Sequence, residues 1–480
     1  MVVATPQGRG VVLAKVVVDA TGNADIAAAA GAPCVTTGPE DIAVQGTGLP
    51  PRRLGASYTN TDFTIVDETD LLDIWRVHVC AKLMAKDAFD LGELIDSRER
   101  RRIVGDFTIT ILDAVLGRTY SDTVVIAYSD FDTHGYTIDP YFTLQHPPQG
   151  KGFYVNVPYR CLLPRGIEGL IVAGIGISVH RDALPLVRMQ ADIQNQGYAA
   201  GLAAAFAARK EGTLRKIDIR RLQQKLVEIG NLPPEVLKAK DSFPLPKERV
   251  EEAVRRAGDG YRNCAVLLAH PKVALPLLRK AYSNTSDPKK KLLYAQILAV
   301  LGDPLGIETL IKAVDEFRDW DKGWRYQAMG QYGPNLSPLD RLIYALGCTR
   351  DPRALPAILK KAELLNPDSE FSHFRAIALA CEKIGSEQAA PVLARILQMR
   401  GIQGHSIKNI KEAISTVRKY PSWTATDPRS LSIRELLLAR SLYRCGDWKD
   451  LGKKILQLYT KDLRGHLARH AKAVLRAPQR

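Results

Sequence analysis

The sequence predicts an α/β layer with an inserted β-rich segment over residues 1–235, followed by an all-α array over 236–480. Three observations predict it. Apolar, β-branched runs alternate with helix-like stretches through the first half. Beyond Asn231-Leu232-Pro233-Pro234 the apolar spacing is helical and is broken by recurring short turns. Charge divides at the same place: residues 1–235 hold 24 Lys and Arg against 27 Asp and Glu, and the remainder 43 against 25. The chain's net charge of +15 therefore lies in its second half.

Val2–Thr5 and Val11–Val18 read as strands joined by Pro6-Gln7-Gly8-Arg9-Gly10, a hairpin signal. Asp19-Ala20-Thr21-Gly22 opens onto Asn23–Ala30, an alanine-rich helix stopped by Gly31. Segment 66–98 has helical spacing. Residues from about 103 to 155 are β-rich and loop-rich, as an inserted substrate sheet would be. Leu170-Ile171-Val172, apolar throughout, suits a strand of a parallel sheet buried on both faces. A helix from about Leu184 to Arg209 comes next, with Gly and Ala that permit close approach to a neighbour.

In the second half four helix–turn–helix units superimpose. Their turns are Leu301-Gly302-Asp303-Pro304, Thr349-Arg350-Asp351-Pro352, Ile384-Gly385-Ser386 and Cys445-Gly446-Asp447-Trp448. A further unit turns at His270-Pro271. Gly ends one helix in a left-handed conformation, Asp or Ser caps the next, and Pro suits its first position. Such paired helices resemble HEAT repeats, which implies an α-solenoid with a surface for a protein partner. Its basic clusters, Lys289-Lys290-Lys291 among them, read either as solvated outer faces or as a surface for an acidic partner, nucleic acid included.

Composition narrows the function classes. No run approaches the ~18 apolar residues of a spanning helix, so no membrane role is expected. Seven scattered cysteines without Cys-x-x-Cys suggest neither zinc nor a redox dithiol, and they suit a reducing, cytoplasmic setting. No nucleophile elbow or P-loop is present.

Three blocks carry chemistry. The first is Val16-Val17-Val18-Asp19-Ala20-Thr21-Gly22-Asn23-Ala24-Asp25-Ile26-Ala27 with Ala30-Gly31-Ala32-Pro33. The second is Arg98-Glu99-Arg100-Arg101-Arg102-Ile103-Val104-Gly105-Asp106, either a solvated basic helix end or a site for anions. The third runs from Tyr154 through Tyr159-Arg160 and Leu170-Ile171-Val172-Ala173-Gly174 to Gly197-Tyr198-Ala199-Ala200-Gly201. Together they resemble FAD-dependent oxidoreductases with a dinucleotide-binding domain of the glutathione-reductase type. The resemblance covers residues 1–225 and implies FAD as cofactor and hydride transfer with a small organic substrate.

It also implies that Ala20, Thr21, Gly22, Ala173, Gly174, Gly197, Ala199 and Ala200 lie against the cofactor, with Tyr159, Arg160 and Arg188 toward the substrate. The two arginines suit a bidentate hold on a carboxylate. His134 and His180 are the catalytic candidates, since imidazole exchanges protons near neutrality, although a lone histidine is more often structural. Ile175 and Tyr198 stand where the family has Arg and Gln. The family's Gly-x-Gly-x-x-Gly, which grips the pyrophosphate, occurs nowhere in the sequence. The resemblance therefore leaves open an upstream segment, a natural fragment, a second chain or copy that completes the fold, or a non-catalytic HEAT-repeat scaffold carrying a relic.

Overall fold

A computed structural model of the chain describes residues 1–40, 42, 47–49, 59–61, 67, 69–70, 72–76, 79, 101–131, 135–145, 152–210, 212–325, 336–419 and 427–477. Its contacts divide it into two compact units, each discontinuous in sequence. The first comprises Met1–Thr36, Arg100–Asp132 and Gly150–Pro244; the second comprises Thr37–Glu99, Thr133–Gln149 and Leu245–Arg480. A single cut at residue 235, as the charge balance suggests, does not reproduce this division. No helix among the described residues is long and apolar enough to cross a membrane.

The first unit starts with the expected hairpin, β1 (Val2–Thr5) against β2 (Gly8–Val11). The apolar run Val11–Val18 is not one strand: β2 ends at Val11 and β3 begins at Val17 (Val17–Asp19). Helix α1 (Asp25–Ala29) comes next, and β4 (Cys34–Val35) pairs antiparallel with β5 (Arg102–Ile103). Helix α2 (Ile111–Leu116) lies inside the segment whose composition points to strand. The Thr110 hydroxyl accepts from the Asp113 N–H, the Asp113 carboxylate accepts in return, and Gly117 closes the helix at φ +63°. The local capping chemistry outweighs the β-rich surroundings there.

The sheet expected between 103 and 155 is an antiparallel pair, β6 (Thr123–Ser129) with β7 (Phe153–Pro158). The wholly buried β8 (Leu170–Val172) runs parallel to β3, Leu170 beside Val17 and Val172 beside Asp19. The long helix is shorter than expected. Residues 184–186 form a 3₁₀ turn around Pro185, Met189 is extended, and α3 then spans Gln190–Ala208. Its buried side carries Ala199, Ala200, Ala203 and Ala207. Helix α4 (Ile219–Glu228) closes the unit, capped by Asp218.

In the second unit the helices run α5 (Lys247–Arg255), α6 (Tyr261–Ala269), α7 (Pro271–Asn284), α8 (Pro288–Val300) and α9 (Ile307–Asp315). They continue as α10 (Pro338–Cys348), α11 (Leu355–Glu363), α12 (Phe371–Ile384), α13 (Ala390–Leu397) and α14 (Ile410–Lys419). The last are α15 (Asp427–Arg444), α16 (Leu451–Tyr459) and α17 (Gly465–Arg476). Helices α8, α10, α12 and α15 pack in succession as one row, and α9, α11 and α13 as another. The turns are built as their residues predict: Gly302, Gly385 and Gly446 are left-handed, as is Arg350. The Asp303, Asp351 and Ser386 side chains accept the N–H groups of Leu305, Arg353 and Gln388. Of segment 66–98, residues 72–76 are helical and most of the remainder lies outside the described residues.

Candidate functional site

The parallel pair sets the centre of the site. Its two strands end together at Asp19 and Val172, and the Ala173 N–H donates to the Asp19 carbonyl at 2.9 Å. The buried Asp19 carboxylate fixes the turn beyond the strand. It accepts from the N–H and the hydroxyl of Thr21, at 3.0 and 2.7 Å, and from the Ala27 N–H at 2.8 Å. The Thr21 hydroxyl in turn accepts the Asp25 N–H at 2.9 Å. One carboxylate thus shapes the Ala20-Thr21-Gly22 turn and caps α1.

Ala20 and Thr21 are exposed at this strand end. Gly22 and Gly174, both left-handed at φ +73° and +84°, flank it. A Cβ at Gly22 would meet only the Ile175 side chain, at 3.9 Å. At Gly176 it would lie 3.1 Å from the Ala24 nitrogen, so the 3₁₀ turn 174–176 rests directly on the residue 23–24 turn.

The N-terminal turns of α3 border this strand end. The Gly174 N–H donates to Gln196 Oε1 at 3.2 Å, and Gln196 Nε2 donates to the Val187 carbonyl at 2.8 Å. One turn earlier Asp192, 6 % exposed, accepts the Tyr128 N–H of β6 through Oδ1 at 3.4 Å. Its Oδ2 has no hydrogen-bond partner among the described residues. Burial raises the Asp192 carboxyl to about 6, against the opposing pull of the Tyr128 N–H.

The second block is drawn onto both others. The Arg101 N–H donates to Asn23 Oδ1 at 3.0 Å, and its guanidinium meets Asp25 at 3.3 Å. The Val104 N–H donates to the Pro33 carbonyl, and the Asp106 N–H to that of Leu163. A Cβ at Gly105 would sit 2.7 Å from the Ser178 Cβ and 3.1 Å from the Arg160 carbonyl oxygen. Only glycine lets this strand pass, and the Gly105 N–H donates to Ser178 Oγ at 2.9 Å.

Arg215, unmarked by any motif, clamps the junction. It reaches both Asp106 oxygens at 2.8 and 3.1 Å, Glu168 at 2.9 Å, and the Pro164 and Ile167 carbonyls, each at 2.7 Å.

The predicted substrate residues are engaged in structure. The Arg160 guanidinium donates to both oxygens of Asp122, at 3.0 and 2.9 Å, and to Asp241 at 2.7 Å. Burial opposes its charge, but these carboxylates outweigh it and hold its pKa up. The buried Tyr159 hydroxyl donates to the Leu214 carbonyl at 3.1 Å. Arg188 is half-buried just ahead of α3. His180 is half-buried too, and its Nδ1 accepts the Asp182 N–H at 3.3 Å, which leaves Nε2 as the proton-bearing nitrogen. His134 lies outside the described residues. Ala173 is buried directly after β8. On α3, Ala199 and Ala200 face the interior, whereas Gly197 is on the exposed side, where a Cβ would meet nothing within 4 Å. Gly197 therefore serves no close packing among the described residues; the alanines do.

The arrangement is the carboxyl end of a parallel strand pair, bordered by the N-terminus of a 19-residue helix, the place where open α/β sheets bind ligands. Residues 64–226 match the model of a family described as FAD dependent oxidoreductase, about a third of the chain. The matched span holds the second and third blocks, and the first block precedes it. FAD is the cofactor this match assigns. No curated protein and no solved structure matches. The two left-handed glycines and orphan helix N–H groups fit the ring and sugar-chain side of a flavin, because backbone can approach there without an intervening side chain. No residue of the chain is assigned to the pyrophosphate.

Proposed function

We propose that the first unit is the flavin-ring half of an FAD-dependent oxidoreductase acting on a small organic substrate. The observation that carries this reading is the convergence of three sequence blocks, far apart in the chain, on one strand end. When bound there, FAD supplies a hydride acceptor. Ala20, Thr21, Gly22 and Gly174 would hold it through backbone, and Gln196 keeps Gly174 in register. His180, with Nδ1 engaged and Nε2 protonated, is the proton-exchanging candidate on the loop between β8 and α3. Arg188, half-buried just ahead of α3, is a candidate for an anionic substrate group; Arg160 is held by two carboxylates.

The two rows of helices in the second unit support a HEAT-like reading, with the basic outer charges available to a protein partner. Completion of the pyrophosphate side belongs in this proposal to a further polypeptide segment, in cis or from a partner chain.

The test is anaerobic: add FAD and then alcohols, sugars or hydroxy acids one at a time, with the visible absorbance of oxidised flavin as the readout. Bleaching by at least one class, reversed by oxygen, is expected. Flavin that stays bound and oxidised with every class would overturn the catalytic part of this reading and leave a binding protein.

A further inference from the structure

Asp192 is out of place on structural grounds. A buried carboxylate ordinarily has a cation or several N–H donors around it. This one has a single long hydrogen bond from the Tyr128 N–H, and an Oδ2 without a partner among the described residues. Among the described residues, the elements packed against it supply no counter-charge. Helix α3 contains no Lys, Arg, His or Glu, and no other Asp; β6 and the 3₁₀ turn 174–176 contain no charged residue at all. Asp130, just past β6, is exposed, and Asp19 is committed to capping. The basic side chains of α4 pack at the far end of α3, where Arg221 lies 5.4 Å from the Phe206 ring.

A buried carboxylate with one long hydrogen bond and a second oxygen without a partner among the described residues points to function. Its position agrees. Asp192 and Gln196 are four residues apart on one face of α3, about 6 Å between their Cβ atoms, and Gln196 is bonded to Gly174 at the strand end.

We propose, resting on the assignment of flavin to this strand end, that Asp192 is a positioning residue that presents its carboxyl O–H from Oδ2 to an acceptor atom of the bound flavin ring. As a neutral acid it donates one hydrogen bond there. As a carboxylate it places a negative charge beside an electron-rich ring edge and repels it. The titration near 6 puts that change about one to two pH units above the ordinary carboxyl range. Affinity for FAD must therefore fall as pH rises through the Asp192 titration.

The experiment titrates the full chain with FAD, by flavin fluorescence, from about pH 5 to about pH 8, in wild type and Asp192→Asn. Asn keeps an oxygen for the Tyr128 N–H, so the fold is retained. Infrared titration of both flavin-free proteins reads the carboxyl directly. Affinity that falls about tenfold in wild type and stays level in Asp192→Asn, with a protonated-carboxyl band lost near pH 6 only in wild type, is the expected result. Flavin bound by both proteins with the same pH profile overturns the role of Asp192 and leaves the flavin assignment standing. No flavin bound by either protein at any pH overturns that assignment, and this inference with it.

Discussion

At the scale of single residues, what organises the first unit is mostly silent in the sequence. Gly105 is one letter of a motif, yet its role is steric: the Ser178 Cβ and the Arg160 carbonyl occupy the space a side chain needs. Gly105→Ala should cost about 1–3 kcal/mol in chemical denaturation, and Ser178→Gly in the same protein should return part of it. Arg215 carries no sequence signal, since an isolated arginine after a helix looks like surface. Arg215→Met should destabilise by about 1–3 kcal/mol, and a double-mutant cycle with Asp106→Asn should show coupling; strict additivity would show that the clamp is idle.

His373, in the second unit, is equally silent because its partners lie far away in sequence. Its Nδ1 meets Asp340 at 2.8 Å and its Nε2 donates to the Asp321 carbonyl at 3.1 Å, with Trp320 stacked 4.2 Å away. Burial pushes its pKa down, but the Asp340 hydrogen bond and the charges of Asp340, Glu370 and Asp321 outweigh it, and the net direction is up. The charged form is thus favoured in the folded state. The contribution is full below the ordinary histidine value of about 6.5 and is lost as pH rises through the raised one. Thermal melts should show wild type exceeding His373→Gln by most at the acid end of that window and by least above it.

At the scale of elements, boundaries written in local chemistry are legible and those set by tertiary contact are not. The turns at 301–304, 349–352 and 384–386 carry the Asp or Ser caps their residues predict, since Gly, Asp, Ser and Pro act within a few residues of themselves. At 445–448 a left-handed Asp447 instead reaches forward to the Gly452 and Lys453 N–H groups. Asp303→Ala or Asp351→Ala should each cost about 1 kcal/mol, read from denaturant midpoints. Gly446→Ala should cost more than either: φ is +88°, and a Cβ there would lie 2.8 Å from Glu387 Cγ. By contrast, the run Val11–Val18 carries no local sign that it breaks after Val11, or that Val17 opens a new strand whose partner, Leu170–Val172, lies some 150 residues on. Nor do Ala199 and Ala200 reveal which way they face, because Ala and Gly fit either side of a helix.

At the scale of the whole molecule, the two-part organisation is visible in charge and periodicity, but the interleaved membership of the units is not. Residues 37–40 and 42 join the second unit through contacts that only the fold supplies: His470 Nδ1 donates to the Gly38 carbonyl at 2.7 Å, and Arg444 Nη2 donates to that of Pro39 at 2.6 Å. Two compact units predict two calorimetric transitions, one lowered by Gly105→Ala and the other by His373→Gln. A single transition shifted equally by both would contradict independent units. The central claim is that the first unit holds flavin at this strand end. Its most direct measurement is the visible spectrum of the protein after incubation with FAD and gel filtration, in wild type and Gly174→Val. Valine there is forced against a left-handed backbone, with the Ile193 side chain 3.7 Å from where its Cβ would sit. Flavin absorbance that co-elutes with wild type and is lost from a folded Gly174→Val is the predicted result; a folded, colourless wild type, or equal retention by both, would contradict it.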